Sequence, residues 1–304
     1  MCGFLLIDKP LGVTSHDVVK EVRRRLGVRR VGHAGTLDPV CTGLLVLGVG
    51  RATRLLRFLS LEPKEYEGVM KLGEATTTQD AEGEVVRWAD ASKVDSNALC
   101  EAAREMVGKV RQVPPMYSAV KVGGRKLYEY ARAGKEVDRE ARTVTIHGFK
   151  VLSLDLARAE SRTIGTPAYP SALARFWVRC SSGTYVRTLV HDLGQKVGVG
   201  AHVVELRRTA AGVFRVEDAL QLEEVSAEQL LPPEDVLEPM PMARLPGRLA
   251  EVAANGGAVR VPYETPGRYL GLLDPDGRLI AVARETDRGW QPEVVLPRDS
   301  DVRR

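Results

Sequence analysis

The chain has 304 residues, 28% charged and 44% apolar, with a formal net charge of +4; this fits a globular protein large enough for one main domain and a small second one. No apolar run reaches the roughly 18 residues of a membrane span, and the N-terminus "MCGFLLIDKP" lacks the basic start and long apolar stretch of a signal peptide. The cysteines Cys2, Cys41, Cys100 and Cys180 are scattered without a CxxC pair, which argues against a disulfide framework and a zinc site and points to a reducing cytosol.

In chain order, "FLLIDKP" (4–10) reads as a strand ended by Pro. The spacing of Val18, Val19, Val22 and Leu26 predicts a helix over 14–27, with Thr14 or Ser15 as its cap and Gly27 as its stop. "GLLVLGVG" (43–50) is a buried strand, "YEGVMKLG" (66–73) alternates like another, and "NALCEAAREMVG" (97–108) reads as a helix. "RTVTIHGFKVLSLDL" (142–156) and "ARFWVRC" (174–180) are strand-like, and "TYVRTLVHDLGQKVG" (184–198) starts extended and turns helical. Strand and helix do not alternate regularly, so an α+β fold with a mixed, mostly antiparallel sheet is expected. Prolines at 232, 233, 239, 241 and 246 mark a linker. The remainder, with "YLGLLD", "RLIAVAR" and "PEVVLP" between turn residues, reads as a small β-rich domain. The predicted boundary puts residues 1–240 in the main domain and 241–304 in the small one.

Charge is unevenly spread. Residues 1–60 carry ten Lys and Arg against four acids, residues 111–150 nine against four, and residues 217–238 eight acids and no base. Basic zones offset by an acidic one suit a polyanion on one face, although any single zone is also ordinary solvated charge. The sequence contains no phosphate loop, no HExxH, no GxSxG elbow and no dinucleotide turn, and its five histidines are dispersed. A metal-free, cofactor-free enzyme or a non-enzyme is left.

Three segments could carry chemistry. In "VGHAGTLDPVCTG" (31–43), Gly32 and Gly35 permit tight backbone and Pro39 restricts Asp38; Asp38 is either an Asx-type turn residue or a carboxylate that the turn presents. In "CSSGTYVRTLVHDLG" (180–194), Tyr185 and Arg187 stand two apart on a strand-like stretch, so both are expected to face one way. An aromatic beside a guanidinium suits a flipped base; a half-buried Tyr with a surface Arg is the plain alternative. "VPPMYSAVKVGGRKLYEYARAGKE" (113–136) interleaves Tyr117, Tyr128 and Tyr130 with Lys121, Arg125, Lys126 and Arg132, as an RNA-gripping loop or an ordinary basic hairpin and helix would.

Taken together, these segments resemble the TruB-type bacterial tRNA pseudouridine-55 synthase family. The resemblance runs in order through "LLIDKPLGVTSHDVV", "RRVGHAGTLDPVCTGLLVLGVGRATRL", "KEYEGVMKLGEATTTQDAEGEV", "PPMYSAVKVGGRKLYEYARAG", "SSGTYVRTLVHDLG" and "GAHVVELRRTAAGVF", covering about residues 3–216. It implies the pseudouridine synthase fold, a large mixed sheet flanked by helices, with an RNA-gripping insertion at about 113–143 and a PUA-like C-terminal module. The implied activity converts uridine 55 of the tRNA TΨC loop to pseudouridine without metal or organic cofactor, in the cytoplasm, by a monomer whose partner is the tRNA T-arm and not a membrane or an obligate protein. By motif, Asp38 would be the catalytic aspartate. Tyr66 would stack on the flipped uracil and assist proton removal from C5. Arg187 would pair with Asp38, Tyr185, Lys9 and Leu206 would line the pocket, and His33 would contact the T-loop. Lys121, Arg125 and Lys126 would hold RNA phosphates. The stretch 157–174 looks longer than the family's usual connection, and a surface loop is expected there. A non-catalytic RNA binder, a guide-RNA-dependent relative and an aspartate-dependent hydrolase are the competing readings; the set Asp38, Tyr66, Tyr185 and Arg187 disfavours the first and the basic, Tyr-rich segment disfavours the last.

Overall fold

The computed structural model describes residues 1–118, 120–157, 170–237, 240–262 and 268–296. In chain order the elements are β1 (Gly3–Lys9), α1 (Ser15–Leu26), β2 (Val31–Ala34), β3 (Cys41–Val49), β4 (Lys64–Leu72), β5 (Glu74–Thr76), β6 (Val85–Trp88) and α2 (Ser96–Arg104). There follow β7 (Gly108–Gln112), β8 (Lys121–Val122), β9 (Arg125–Lys126), α3 (Leu127–Arg132), β10 (Arg142–Ala157), β11 (Ser171–Cys180), α4 (Val186–Lys196) and β12 (Ala201–Ala211). The last are β13 (Phe214–Arg215), α5 (Pro233–Val236), β14 (Met242–Arg244), α6 (Gly247–Ala254), β15 (Tyr269–Leu273), β16 (Leu279–Thr286) and β17 (Gly289–Val295), with short 3-10 turns between.

The chain folds as two compact units. One comprises residues 39–44 and 61–217, the other residues 1–38, 45–60 and 218–304, so β3 belongs to both. The first unit is built on a sheet in the order β3–β12–β4–β11–β10–β7, where β3 and β12 run parallel and the other neighbours antiparallel. Alternation along β11 buries Ala172, Ala174, Phe176, Val178 and Cys180 and exposes Leu173, Arg175 and Arg179, the pattern of a sheet with one covered face. The predicted α+β class with a mixed, mostly antiparallel sheet is what the chain adopts.

In the second unit α1 is started by Thr14, whose hydroxyl accepts from the Asp17 N–H while the Asp17 carboxylate accepts from the Thr14 N–H. Gly27 closes it at φ 64°. The acidic run is not a loose tail. Its backbone pairs with β1 through Phe4 with Leu231 and Ile7 with Leu220. The C-terminal sheet runs β14–β15–β16–β17 over a core containing Leu245, Leu270, Leu272, Ile280 and Trp290. Residues 50–58 pack on it: Arg57 donates to Glu293 at 2.6 Å and Phe58 meets Tyr269 edge to face at 4.9 Å.

The expected elements fall close to their predicted places, with four differences. Helix α2 stops at Arg104 and Gly108, at φ 116°, opens β7 where the helix was expected to end. The stretch expected as a loop at 157–174 narrows, since β10 runs to Ala157 and β11 begins at Ser171; residues 158–169 lie outside the described residues. The segment read as uniformly β-rich also holds α6, whose Ala250 and Ala253 are small enough to lie against the sheet. Last, Tyr185 and Arg187 do not share a strand face. Tyr185 is the extended residue before α4 and Arg187 is in its first turn, where residues two apart point to different sides.

Candidate functional site

Asp38 is carried by a built turn. After β2, Gly35 takes φ 72° and the chain turns back toward β3, a conformation that suits glycine. The residue before Asp38 is fixed twice: the Ser15 hydroxyl accepts from the Leu37 N–H at 2.9 Å and donates to the Leu37 carbonyl at 3.1 Å. Ser15 is buried at the start of α1 and the Leu37 side chain is buried as well, so the backbone is anchored while the Asp38 side chain stays half-buried. His33 sits on β2, opposite Leu47, also half-buried. Lys9 is fully buried at the end of β1, and its ammonium donates to the carbonyls of Pro10 (2.9 Å) and Val13 (2.7 Å). That places a positive charge on the loop leading to α1 and satisfies a group that could not otherwise be buried.

In the other unit, Tyr66 and Leu206 meet through sheet register. On β12, Leu206 is opposite both Cys41 of β3 and Gly68 of β4, and Arg208 is opposite Tyr66. Gly43 lets the strands come this close, because a Cβ there would overlap the Arg208 carbonyl. Arg208 is 1% exposed and donates through Nε to the Leu44 carbonyl at 2.8 Å. Burial pushes the Tyr66 phenol up to about 12, and the neighbouring Arg208 opposes that shift. The shift holds the phenol neutral beyond the usual tyrosine range, a form that can stack on an aromatic base and both donate and accept a hydrogen bond. Because the unfolded phenol ionises first, Tyr66 leaves stability untouched below pH 10 and erodes it between pH 10 and about 12. Urea midpoints at pH 9 and pH 11 are expected to converge in Tyr66→Phe relative to the parent protein; an identical alkaline loss in both refutes the assignment.

Arg187 is a buried and closely held charged side chain of this unit. It is 4% exposed, its Nη1 donates to Asp80 Oδ2 at 2.7 Å and to the Thr78 carbonyl at 2.9 Å, and its Nη2 donates to the Tyr117 carbonyl at 3.0 Å. Asp80 is itself buried; Oδ1 accepts from the Thr78 hydroxyl and from the Glu82 N–H. A guanidinium held by one carboxylate and two backbone carbonyls has a fixed direction and a fixed charge. Tyr185, half-buried, precedes it by two residues at the helix start.

The basic insertion is ordered around its tyrosines. Strands β8 and β9 form a hairpin that leads into α3. Arg125 lies 5.3 Å from the Tyr130 ring, and Lys126 and Arg132 lie 5.4 and 5.5 Å from the Tyr128 ring, so aromatic faces hold the cations in place. Lys121 and Arg125 are exposed and Lys126 is half-buried. Among the described residues no group of three His, Cys, Asp or Glu side chains is placed to hold a metal ion, and no helix is long and apolar enough to cross a membrane.

Two residues of weight were missed in the sequence. Asp80 lies in "TTTQDAEG", where a carboxylate set among threonines and a glycine was a visible sign of a hydroxyl-bonded turn. Arg208 gave no such sign, because an arginine in an otherwise alternating strand reads as surface.

The described architecture is that of a pseudouridine synthase. A chain in the crystal structure of a Cbf5–Nop10–Gar1 complex superposes with a TM-score of 0.65 at 25% identity, covering 98% of this chain and 86% of that one. Residues 23–186 match the N-terminal domain of the TruB family pseudouridylate synthases and residues 187–243 the tRNA pseudouridylate synthase B C-terminal domain. The chain belongs to the TruB family. It is 46% identical over 298 residues to tRNA pseudouridine synthase B of Thermobifida fusca, covering 97% of this chain and 98% of the relative. The same-named protein of Geobacillus thermodenitrificans is 42% identical, with 94% and 93% covered.

Proposed function

We propose that this protein is a tRNA pseudouridine synthase that isomerises uridine 55 in the TΨC loop, without a cofactor. The observation that carries the reading is the anchored Leu37–Asp38 turn, which spends two buried hydrogen bonds on the backbone beside one half-buried carboxylate. The reaction breaks N1–C1′, turns the uracil and forms C5–C1′; the C5 proton leaves and N1 ends protonated. Asp38 acts at C1′ or on its neighbouring proton, and Arg187 holds a positive charge for that carboxylate. Tyr66 stacks on the flipped base as a neutral phenol, while Tyr185, Leu206 and Lys9 shape the pocket and His33 meets the T-loop. Flipping the nucleotide costs a few kcal/mol, which phosphate contacts from Lys121, Arg125 and Lys126 offset. The protein works as a cytoplasmic monomer, with residues 241–304 as a PUA-like module, and holding the T-arm also assists tRNA folding.

The test is incubation with an unmodified tRNA transcript followed by mapping of pseudouridine; product at position 55 is expected, and none there overturns the reading. Replacing Lys121, Arg125 and Lys126 together with Ala is expected to raise KM for tRNA and to reduce the slope of log Kd against log salt by about 2 to 3. An unchanged slope removes the insertion from the interface.

A further inference from the structure

The first turn of α4 begins without a side-chain cap of its own, since the Tyr185 side chain makes no capping hydrogen bond. Such a start leaves backbone donors to be satisfied from elsewhere. One of them, the Tyr185 N–H, is met by the amide of Gln112, the last residue of β7, whose Oε1 accepts from it at 2.8 Å while Nε2 donates to the Tyr185 carbonyl at 3.0 Å. Gln112 is 2% exposed, and the paired backbone donor and acceptor allow only this orientation of its amide. From the other side, the Thr188 hydroxyl donates to Gln79 Oε1 at 2.7 Å. Gln79 holds φ 65°, the one positive value at a non-glycine among the described residues, in a region side-chain-bearing residues rarely enter. Its carbonyl accepts from the Val203 N–H of β12 at 3.1 Å, and it immediately precedes Asp80.

We propose that Gln112 and the Gln79–Thr188 pair form a two-sided clamp that sets the position of α4's first turn, and that they are positioning residues for Tyr185 and Arg187. The clamp rests on the reading of those two residues as parts of the reaction site. Its logic is geometric. Arg187 is flanked by Tyr185 and Thr188, each tied to a different element, so its backbone can neither slide along the helix axis nor rotate about it. The same Gln79 turn that grips Thr188 presents Asp80 to Arg187, so one strained residue sets both ends of the buried ion pair. A left-handed residue with a side chain persists where surrounding contacts over-determine it, and here those contacts are the Thr188 hydroxyl and the Val203 N–H.

Gln79→Gly separates positioning from stability. Glycine accepts φ 65° without strain, so the melting temperature is expected to stay within about 3 °C, while the lost Thr188 contact frees the turn. The single-turnover rate of pseudouridine formation is expected to fall about 10- to 100-fold, as small misplacements of reacting groups do, with Kd for tRNA within about threefold of the parent. Thr188→Val is expected to behave alike, whereas Gln112→Glu, which keeps the acceptor for Tyr185 N–H but sets a buried oxygen against the Tyr185 carbonyl, is expected to lower both the rate and the melting temperature. Thr188→Ser, retaining the hydroxyl, is expected to recover the rate. Parent-like rates in Gln79→Gly and Thr188→Val, beside an active parent, overturn the clamp alone. Losses that track only the unfolded fraction overturn it too. An inactive parent overturns the reading of the site and the clamp's purpose with it.

Discussion

Asp38→Asn is expected to lower pseudouridine formation by more than about 10³-fold, the scale on which a single group stabilising a transition state is felt, while tRNA still binds and the protein still folds. The substitution is nearly isosteric. The two hydrogen bonds between the Ser15 hydroxyl and the Leu37 backbone anchor the residue before Asp38, and an Asn at 38 leaves both of them in place. An Asn at 38 also keeps the capacity for an Asx-type turn, which means a purely structural Asp38 predicts almost no effect. What Asn lacks is the negative charge that the proposed mechanism requires of residue 38. Release of tritium from tRNA labelled at C5 of uridine follows the C–H bond that must break, and a gel-shift Kd reports binding separately. Turnover within tenfold of the parent returns Asp38 to the role of a turn residue and leaves the proposed mechanism without its carboxylate.

Much of the frame was legible because it follows from local rules. The period of Val18, Val19, Val22 and Leu26, with Thr14 before and Gly27 after, fixes α1 almost to the residue. Alternation marks β4 and the buried run marks β3. The turn around Asp38 was visible as a turn from Gly35 and Pro39, but its anchor was not. Ser15 lies 22 residues from Leu37, and nothing in local sequence connects the two. The same holds for Arg187. Its partners Asp80 and Tyr117 are brought to it by the sheet and the insertion from 107 and 70 residues away, and a helix start was read as a strand because "TYVRT" opens with β-prone residues. Tyr66 could be named by motif; the upward shift of its phenol could not, since that depends on how deeply the sheet buries it. The basic residues of 1–60 looked like one RNA-facing zone, yet part of that zone already makes hydrogen bonds within the chain. Arg23 donates to the Val31 carbonyl, Arg25 to the Glu223 carbonyl and Arg57 to Glu293. Net charge in a window counts cations and says nothing of where their hydrogen bonds go.

Asp80→Asn carries the second large expected effect, and its reasoning is that of a buried charge deprived of its counter-ion. Both side chains of the Asp80–Arg187 pair are about 5% exposed or less. Neutralising Asp80 takes the carboxylate of this pair from a guanidinium held away from water, which costs about 3–5 kcal/mol; for a chain of this size the melting temperature is expected to fall by roughly 10 °C. Activity is expected to drop further than stability, because Arg187 then swings toward whatever anion it can reach and no longer holds its direction. The double variant Asp80→Leu with Arg187→Met separates these effects. Removing both charges recovers much of the lost stability, as apolar replacement of a buried pair commonly does, although the Thr78 and Tyr117 carbonyls lose their donor. If the pair served only the fold, the double variant would regain activity along with its melting temperature. The expected result is recovery of the melting transition with tritium release still at the level of the single variant, because a methionine at 187 supplies no charge to the site; recovery of both places the pair in the scaffold alone.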